Sequence, residues 1–264
     1  MELAEIYLTI QAAEREAAKL MLPARGVTAE AKSGRRDVVT EYDRLVQESL
    51  VSSLRAAVPD AHFFCEEMNE REKLDSPRLF VIDPIDGTMN FVRGFNHSCI
   101  SVAYAERGRV LACAIYNPYV DEMFGAVRGG GAQLNGRPLR MADAPLRDSV
   151  VCIGTSPYRP ELCDATFELA KALFRASLDI RRQGTAELDF CSVAAGRAGL
   201  FAELDLALWD YAAGMLLVEE AGGACMTLGG GPLPFTGERS TILCGTPTAV
   251  ADYFKLPEAG KWKS

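Results

Sequence analysis

Four acidic residues stand where a folded chain would gather them. Glu66 closes the apolar run Ala61-His62-Phe63-Phe64-Cys65, and Asp83 closes Arg78-Leu79-Phe80-Val81-Ile82. Asp86 follows three residues on, beyond Pro84, and Asp210 heads an apolar stretch. Acids at the ends of buried strands face the mouth of a fold, where ligands bind. Each acid also has an ordinary structural job open to it. Glu66 can be a solvated strand end, Asp83 and Asp86 can stabilise the turn before Gly87, and Asp210 can cap a helix. Gathered in one place, however, the four repel one another unless a cation lies among them. A hard cation such as Mg²⁺ takes oxygen ligands and keeps some water. Gly87 and Thr88 add backbone N–H groups that can hold a phosphate at a helix start. Carboxylates beside a phosphate cradle point to metal-assisted phosphate chemistry.

The elements that position these residues follow from apolar periodicity. Leu3, Ile6, Ile10, Ala13, Ala17 and Leu20 recur at helical spacing and predict a helix over Leu3–Met21, closed by Pro23 and Gly26. A polar stretch from Thr28 to Arg36, with Lys32, Ser33 and Gly34, reads as a mobile loop. Thr40–Val58 reads as a second helix with Leu45, Leu50, Val51 and Leu54 on its apolar face, ended by Pro59. Beyond the two strands before Glu66 and Asp83, further strands are expected at 98–105, 109–116 and 122–127. Gly129-Gly130-Gly131 and Asn135-Gly136 mark the end of that meander. The second half, from about Pro138, alternates strands (149–153, 178–182, 200–204) with helices (160–176, 187–198, and one from Trp209-Asp210 to Glu220 with Gly222-Gly223 as its cap). The expectation is a layered α/β fold with a mixed sheet, one domain over 1–264 with subdomains at 1–138 and 139–264.

Bulk properties narrow the function. A net charge of −8 argues against broad nucleic-acid binding, which needs a basic face. It does not exclude a phosphate substrate, because bound metal supplies positive charge locally. The eight cysteines are scattered and form no C-x-x-C pair, so a zinc cluster is not expected and reduced, buried thiols are. The acidic start Met1-Glu2-Leu3-Ala4-Glu5 does not resemble a signal peptide, and no apolar run is long enough to span a membrane, so a cytoplasmic protein is expected.

These segments together resemble the inositol monophosphatase family, within the wider group that includes fructose bisphosphatases. Asp37-Val38-Val39-Thr40-Glu41-Tyr42-Asp43 is similar to its D-x-V-T-x-x-D, and Glu66-Glu67 to its paired glutamates after a strand. Asp83-Pro84-Ile85-Asp86-Gly87-Thr88-Met89-Asn90-Phe91 is similar to its D-P-I-D-G-T-x-N-F. Trp209-Asp210-Tyr211-Ala212-Ala213-Gly214 is similar to its W-D-x-A-A-G. The resemblance implies an αβαβα sandwich and two or three Mg²⁺ ions. Glu66, Asp83 and the Ile85 carbonyl would hold one ion, and Asp83, Asp86 and Asp210 a second, with Glu66 helping a weaker third. Thr88, paired with Asp43, would orient and activate a metal-bound water. The Gly87 and Thr88 amides would hold phosphate oxygens. Substrate hydroxyls would meet Asp86, Glu203, Asp210 and the backbone around Gly184-Thr185-Ala186. A lysine near the metals in similar proteins suggests Lys32, for which a solvated loop position is the alternative. Homodimers and inhibition by Li⁺ also go with the family.

Two positions depart from the pattern: Met89, and Glu187, where relatives often have a small residue. Glu187 either reshapes the substrate rim or is an exposed residue favoured by the dipole of a helix start. The leading expectation is hydrolysis of inositol monophosphate or a similar polyol phosphate. Fructose-1,6-bisphosphatase, 3′-phosphoadenosine 5′-phosphate phosphatase, NADP phosphatase and histidinol phosphatase activities share the motifs. A regulatory protein without turnover is the alternative from another class. The rim around 155–160, 184–187 and 203 should discriminate. Glu203 suits a neutral polyol, and no basic cluster is evident for a second phosphate, which leans toward a monophosphate.

Overall fold

The computed structural model describes residues 2–24, 26–34, 36–68 and 73–262. The chain opens with α1 (Leu3–Met21), a hairpin of β1 (Ala29–Gly34) and β2 (Asp37–Thr40), and α2 (Glu41–Ala57). Then come β3 (His62–Cys65), β4 (Leu79–Asp86), the short α3 (Thr88–Arg93), β5 (Cys99–Glu106), β6 (Arg109–Asn117), β7 (Glu122–Val127), β8 (Gly131–Leu134) and β9 (Arg137–Leu139). Strands β3 to β9 form one sheet in chain order, parallel at β3–β4 and antiparallel elsewhere. The second half supplies β10 (Val150–Ile153), α4 (Cys163–Ala176), β11 (Asp179–Arg181), α5 (Ala186–Ala194), β12 (Leu200–Leu206), α6 (Ala212–Glu220), β13 (Ala224–Met226), β14 (Ser240–Gly245) and α7 (Pro247–Tyr253). Its five strands are ordered β11-β10-β12-β14-β13, with parallel and antiparallel pairs.

Side-chain alternation along the strands makes five layers. Phe80 and Ile82 of β4, with Ile100, Val102 and Tyr104 of β5, face Ile6, Ile10 and Ala17 of α1 and Val46, Leu50 and Leu54 of α2. Their sequence neighbours Val81 and Ala103, with Cys113 of β6, face the other way, onto α5 and α6 (Phe190, Val193, Leu216, Leu217). That middle helix layer is shared, since Cys152, Phe201 and Cys244 of the small sheet close the same core. The outer face of the small sheet, with Val151, Ala202 and Leu243, is covered by Leu169 and Leu173 of α4 and Val250 and Tyr253 of α7. The architecture is therefore αβαβα with mixed sheets.

Several local expectations need correction. The stretch 28–36 is not a loop: Ala29–Gly34 pairs with Asp37–Thr40, with a register shift after Ala31 (Arg35, at its turn, lies outside the described residues). Its first strand, Ala-Glu-Ala-Lys-Ser-Gly, has no β-branched residue, so only its partner Val38-Val39-Thr40 carried a strand signal. Asn135-Gly136 does not end the meander. With φ of 50° and 74° it makes the two-residue turn joining β8 to β9, the backbone an Asn-Gly hairpin favours. Leu45 does not belong to the buried face of α2 and is 44% exposed. All eight cysteines are free and most are buried, but Cys163, at the start of α4, is exposed.

Candidate active site

Asp86 stands three positions after Asp83 on β4, and regular alternation would send the two side chains to opposite faces. Here Asp83 pairs with Ser101 of β5 and Asp86 with Cys99, two residues apart, so β4 carries one extra residue. This bulge brings both carboxylates to one face. Pro84, which has no N–H to give, sits where the ladder is already broken. Asp83 Oδ1 accepts the Ile85 N–H at 3.0 Å, which tightens the turn. Gly87 follows at φ 87°. A Cβ there would also lie 3.2 Å from the Gly184 carbonyl oxygen, so the β4–α3 turn and the β11–α5 turn touch only because this residue is glycine.

The second half of the chain is tied to β4 at this contact. Thr185 caps α5 and donates its hydroxyl to Asp86 Oδ2 at 2.6 Å, and the Glu187 N–H donates to the same oxygen at 2.7 Å. Asn90 Nδ2 donates to the carbonyls of His97 and Gln183, both at 2.8 Å. Asp210 lies in a 3-10 turn (Leu208–Asp210) after β12, and its Oδ2 accepts the Ala207 N–H at 2.7 Å. The adjacent Trp209 ring rests 5.6 Å from that of Phe64, which draws this turn to the end of β3. Gln47 of α2 accepts the Glu67 N–H at 3.0 Å and so orients the Glu66-Glu67 turn; nothing in the sequence pattern had marked it.

Thr88 Oγ1 lies 3.2 Å from Asp43 Oδ1 and 3.1 Å from the Ile85 carbonyl oxygen, so its one hydroxyl hydrogen has two acceptors. Asp43 is held from behind, its Oδ2 accepting the Thr40 N–H at 2.8 Å and the Thr40 hydroxyl at 2.5 Å. One cavity of about 240 Å³ is lined by Glu66, Asp83, Ile85, Asp86, Gly87, Thr88, Gly184, Thr185, Ala186, Glu203 and Asp210. Asp43 stands behind Thr88. Lys32 and Glu187 do not line this cavity.

The electrostatics of the cavity are those of crowded acids. Burial, then Glu66, Asp86 and Asp210, hold the Asp83 carboxyl well above its usual range. Burial lifts Asp210 likewise, opposed by Arg239. Asp86 is pushed up to about 6 by burial against its bonds from Thr185 and Glu187. Among the described residues, no three acidic, histidine or cysteine side chains already close around a common point, and each of the four acids bonds a protein donor. The donor set is nonetheless all oxygen, buried and short of positive charge. Lys32 Nζ sits 2.8 Å from Glu66 and also bonds Glu67, and Arg239 is 3.7 Å from Asp210. A hard divalent cation fits such a set.

Two expectations change at this site. Glu187 is neither exposed nor at the rim. It is fully buried behind Asp86, with Oε1 accepting the Ser101 hydroxyl at 3.0 Å and Oε2 without a partner. The first turn of α5 packs against β5, and no periodicity could reveal that. A basic rim also exists. Arg36, Arg182 and Tyr158 line the cavity, with the Arg239 guanidinium 4.9 Å from the Tyr158 ring centre. The arginines come from three distant parts of the chain, so no cluster shows in the sequence. Glu203 lies at the cavity wall. Its Oε1 accepts from Ser156 N–H at 2.9 Å and Oγ at 3.1 Å, and burial lifts it to about 7. A Cβ on Gly154 would fall 1.8 Å from Glu203 Oε2, so this glycine makes the space the carboxyl fills.

The profile of the inositol monophosphatase family spans residues 2–256, with both signatures at the cavity. The chain belongs to the inositol monophosphatase family. Among its relatives, an inositol-1-monophosphatase of Rhizobium meliloti is 40% identical over 221 residues, covering 80% of this chain and 79% of that one. The Nus factor SuhB of Escherichia coli is 37% identical over 221 residues, covering 83% and 82%. The solved extragenic suppressor protein suhB of Bartonella henselae superposes with a TM-score of 0.89 at 33% identity, covering 97% of this chain and 99% of that one. No helix among the described residues is long and apolar enough to cross a membrane.

Proposed function

We propose that this member of the family is a Mg²⁺-dependent phosphatase of small phosphomonoesters, with inositol monophosphate and similar polyol phosphates as its reference substrates. The observation that carries this reading is the convergence of Glu66, Asp83, Asp86 and Asp210 beside Gly87 and the Thr88–Asp43 pair in one cavity. Solved members of the family described as complexed with Mg²⁺ and phosphate, or soaked in LiCl as an inhibitory complex, support the metal requirement.

In this reading Glu66, Asp83, Asp86, Asp210 and the Ile85 carbonyl hold the ions. Bound Mg²⁺ supplies charge neutralisation at the phosphoryl group and lowers the pKa of the attacking water. Asp43 would take the Thr88 hydroxyl hydrogen as the Thr88 oxygen accepts one from the water, so the proton ends on the carboxylate, and Thr40 fixes Asp43 for the task. The amides of Gly87 and Thr88 donate to the phosphate, placing it against the carboxylates. Glu203 and the Gly184–Ala186 backbone meet the hydroxyls of the alcohol. Lys32 neutralises Glu66 and Glu67. Burial would depress its charge, but the two carboxylates outweigh that and raise its pKa.

A panel of inositol, sugar and nucleotide phosphates, assayed for phosphate release with and without millimolar Mg²⁺, tests the proposal. Mg²⁺-dependent release from at least one ester is expected, and none from any would overturn it. A second reading, a regulatory protein, draws on the Nus factor name of the Escherichia coli relative. It predicts no turnover in the same assay.

A further inference from the structure

Four side chains stand in one row across the small sheet. Cys152 of β10 pairs with Phe201 of β12, Phe201 with Cys244 of β14, and Cys244 with Cys225 of β13, and all four pack into the core shared with α5 and α6. Cys225 and Cys244 are therefore directly opposed on neighbouring antiparallel strands. The backbone bonds around them tell which kind of opposed pair they make. The Gly154 N–H donates to the Ala202 carbonyl at 3.1 Å, which turns Ala202 toward β10 and its neighbour Phe201 toward β14. The Thr246 N–H donates to the Gly199 carbonyl at 2.9 Å, in the same phase. Cys244 thus directs its N–H and carbonyl to Phe201, and toward β13 it has neither to exchange. Cys225 and Cys244 form a non-hydrogen-bonded pair, the type whose Cα atoms approach to about 4.5 Å and whose side chains lie closer. A disulfide asks for a Cα separation of about 4.4–6.8 Å. The thiols already meet: Cys244 hydrogen-bonds Cys225, whose own Sγ lies 3.8 Å from the Met215 carbonyl oxygen on α6. Cys244 is fully buried, whereas Cys225 is half-buried on the edge strand of the sheet.

We propose that Cys225 and Cys244 are a redox-active pair that closes into a cross-strand disulfide when hydrogen peroxide reaches the edge of the sheet. The Cys225 thiolate attacks one peroxide oxygen and the O–O bond breaks. Cys225 becomes a sulfenic acid, and the second oxygen leaves as hydroxide, which takes up the proton Cys225 had released. The Cys244 sulfur then attacks the Cys225 sulfur. The S–O bond breaks, and the hydroxyl leaves as water with the Cys244 proton. Two thiols are oxidised and one peroxide is reduced to two waters. Burial raises the Cys244 thiol and keeps it protonated, which suits it to the second step and leaves the first to the more accessible Cys225. The link joins the ends of the 225–244 segment, which carries Arg239 with its bond to Asp205 and is held at Pro234 by the Tyr211 hydroxyl. Cross-linking a segment of about twenty residues removes freedom from the unfolded chain, so the oxidised protein resists unfolding. None of these steps depends on hydrolysis at the acidic cavity.

Cys163 is exposed and can link one chain to another, so the test is made on the Cys163→Ser protein. After treatment with hydrogen peroxide and alkylation of the remaining thiols in denaturant, peptide mass mapping should find Cys225 joined to Cys244, and dithiothreitol should restore both thiols. The oxidised protein should melt several degrees above the reduced one. Cys225→Ser should abolish both the link and the shift, and Cys244→Ala should stop at a Cys225 sulfenic acid that dimedone captures. Both cysteines recovered alkylated and unlinked would overturn the inference. So would Cys225 driven to a sulfinic acid without a link, or a link that leaves the melting temperature unchanged.

Discussion

Two sides of one cavity are built in different ways. The acidic side comes mainly from the adjacent parallel strands β3 and β4, where Glu66, Asp83 and Asp86 stand at strand ends, with Asp210 reaching in from the turn after β12. Asp83 and Asp210 are each held by a local backbone bond, Asp86 by Thr185 and the Glu187 N–H from the second half, and burial lifts all three, while Glu66 bonds Lys32. The basic side draws Arg36 from the β1–β2 hairpin, Arg182 from the end of β11 and Arg239 from the start of β14. Its charges are partly spent on Asp205 and partly free. The contrast separates two tasks. Metal chemistry needs acids at fixed small separations, which one bulged strand provides. Substrate choice needs groups around the mouth, which loops from separate elements provide.

The sharpest way to break this division is at the bulge. Asp83→Asn and Asp86→Asn should each lower Mg²⁺-dependent turnover by at least about a hundredfold, the scale of losing a major electrostatic stabiliser. Steady-state kinetics on protein with unchanged circular dichroism would read this, and near-normal rates would remove β4 from the chemistry. Asp43→Asn and Thr88→Ala should each cost kcat about a hundredfold, and the double variant little more than either, because the two act as one unit.

The substrate side should respond more mildly. Gly154→Ala forces Glu203 from its seat, so KM for a polyol phosphate is expected to rise about tenfold while kcat changes less. A fall in kcat alone would place Glu203 in the chemistry rather than in recognition.

Thermal melting distinguishes the two sides without turnover. Asp86 and Glu203 hold protons in the fold up to about 6 and about 7, whereas the unfolded chain releases them near 4. The folded state then binds more protons than the unfolded one, so metal-free stability falls as pH rises through this window, and Asp83 and Asp210 extend the fall upward. Protein stripped with EDTA should melt several degrees lower at pH 8 than at pH 5, and Mg²⁺ should narrow the gap. A flat profile would mean that the acids do not share a cation site.

The smallest effect concerns a buried acid outside the cavity. Glu14 of α1 is fully buried and neither carboxyl oxygen has a hydrogen-bond partner. Glu14→Met should stabilise the protein by about 1–3 kcal/mol, because it removes an unsatisfied polar group at nearly constant shape. A destabilised variant would reveal a partner for this carboxyl in solution.

Much of the acidic side was legible from residue order. Asp83, Asp86 to Thr88, Glu66 and Asp210 all line the cavity, since strand ends and a glycine turn leave local signatures, whereas Asp43 was marked only by its resemblance to the family motif. The bulge was not legible: alternation alone sends Asp83 and Asp86 apart, and only pairing with β5 brings them together. Glu187 misled because a helix start looks exposed until another strand packs on it. The basic rim was invisible because Arg36, Arg182 and Arg239 become neighbours only when the hairpin and the small sheet close over the cavity.

By itself, the sequence determined the acids, the glycine turn that follows two of them and the helices and strands that end at them, because those depend on spacing within a few residues. Tertiary structure alone decided which face the two aspartates share, what lies behind Asp86 and which arginines are left free, because each depends on contacts between elements far apart in the chain.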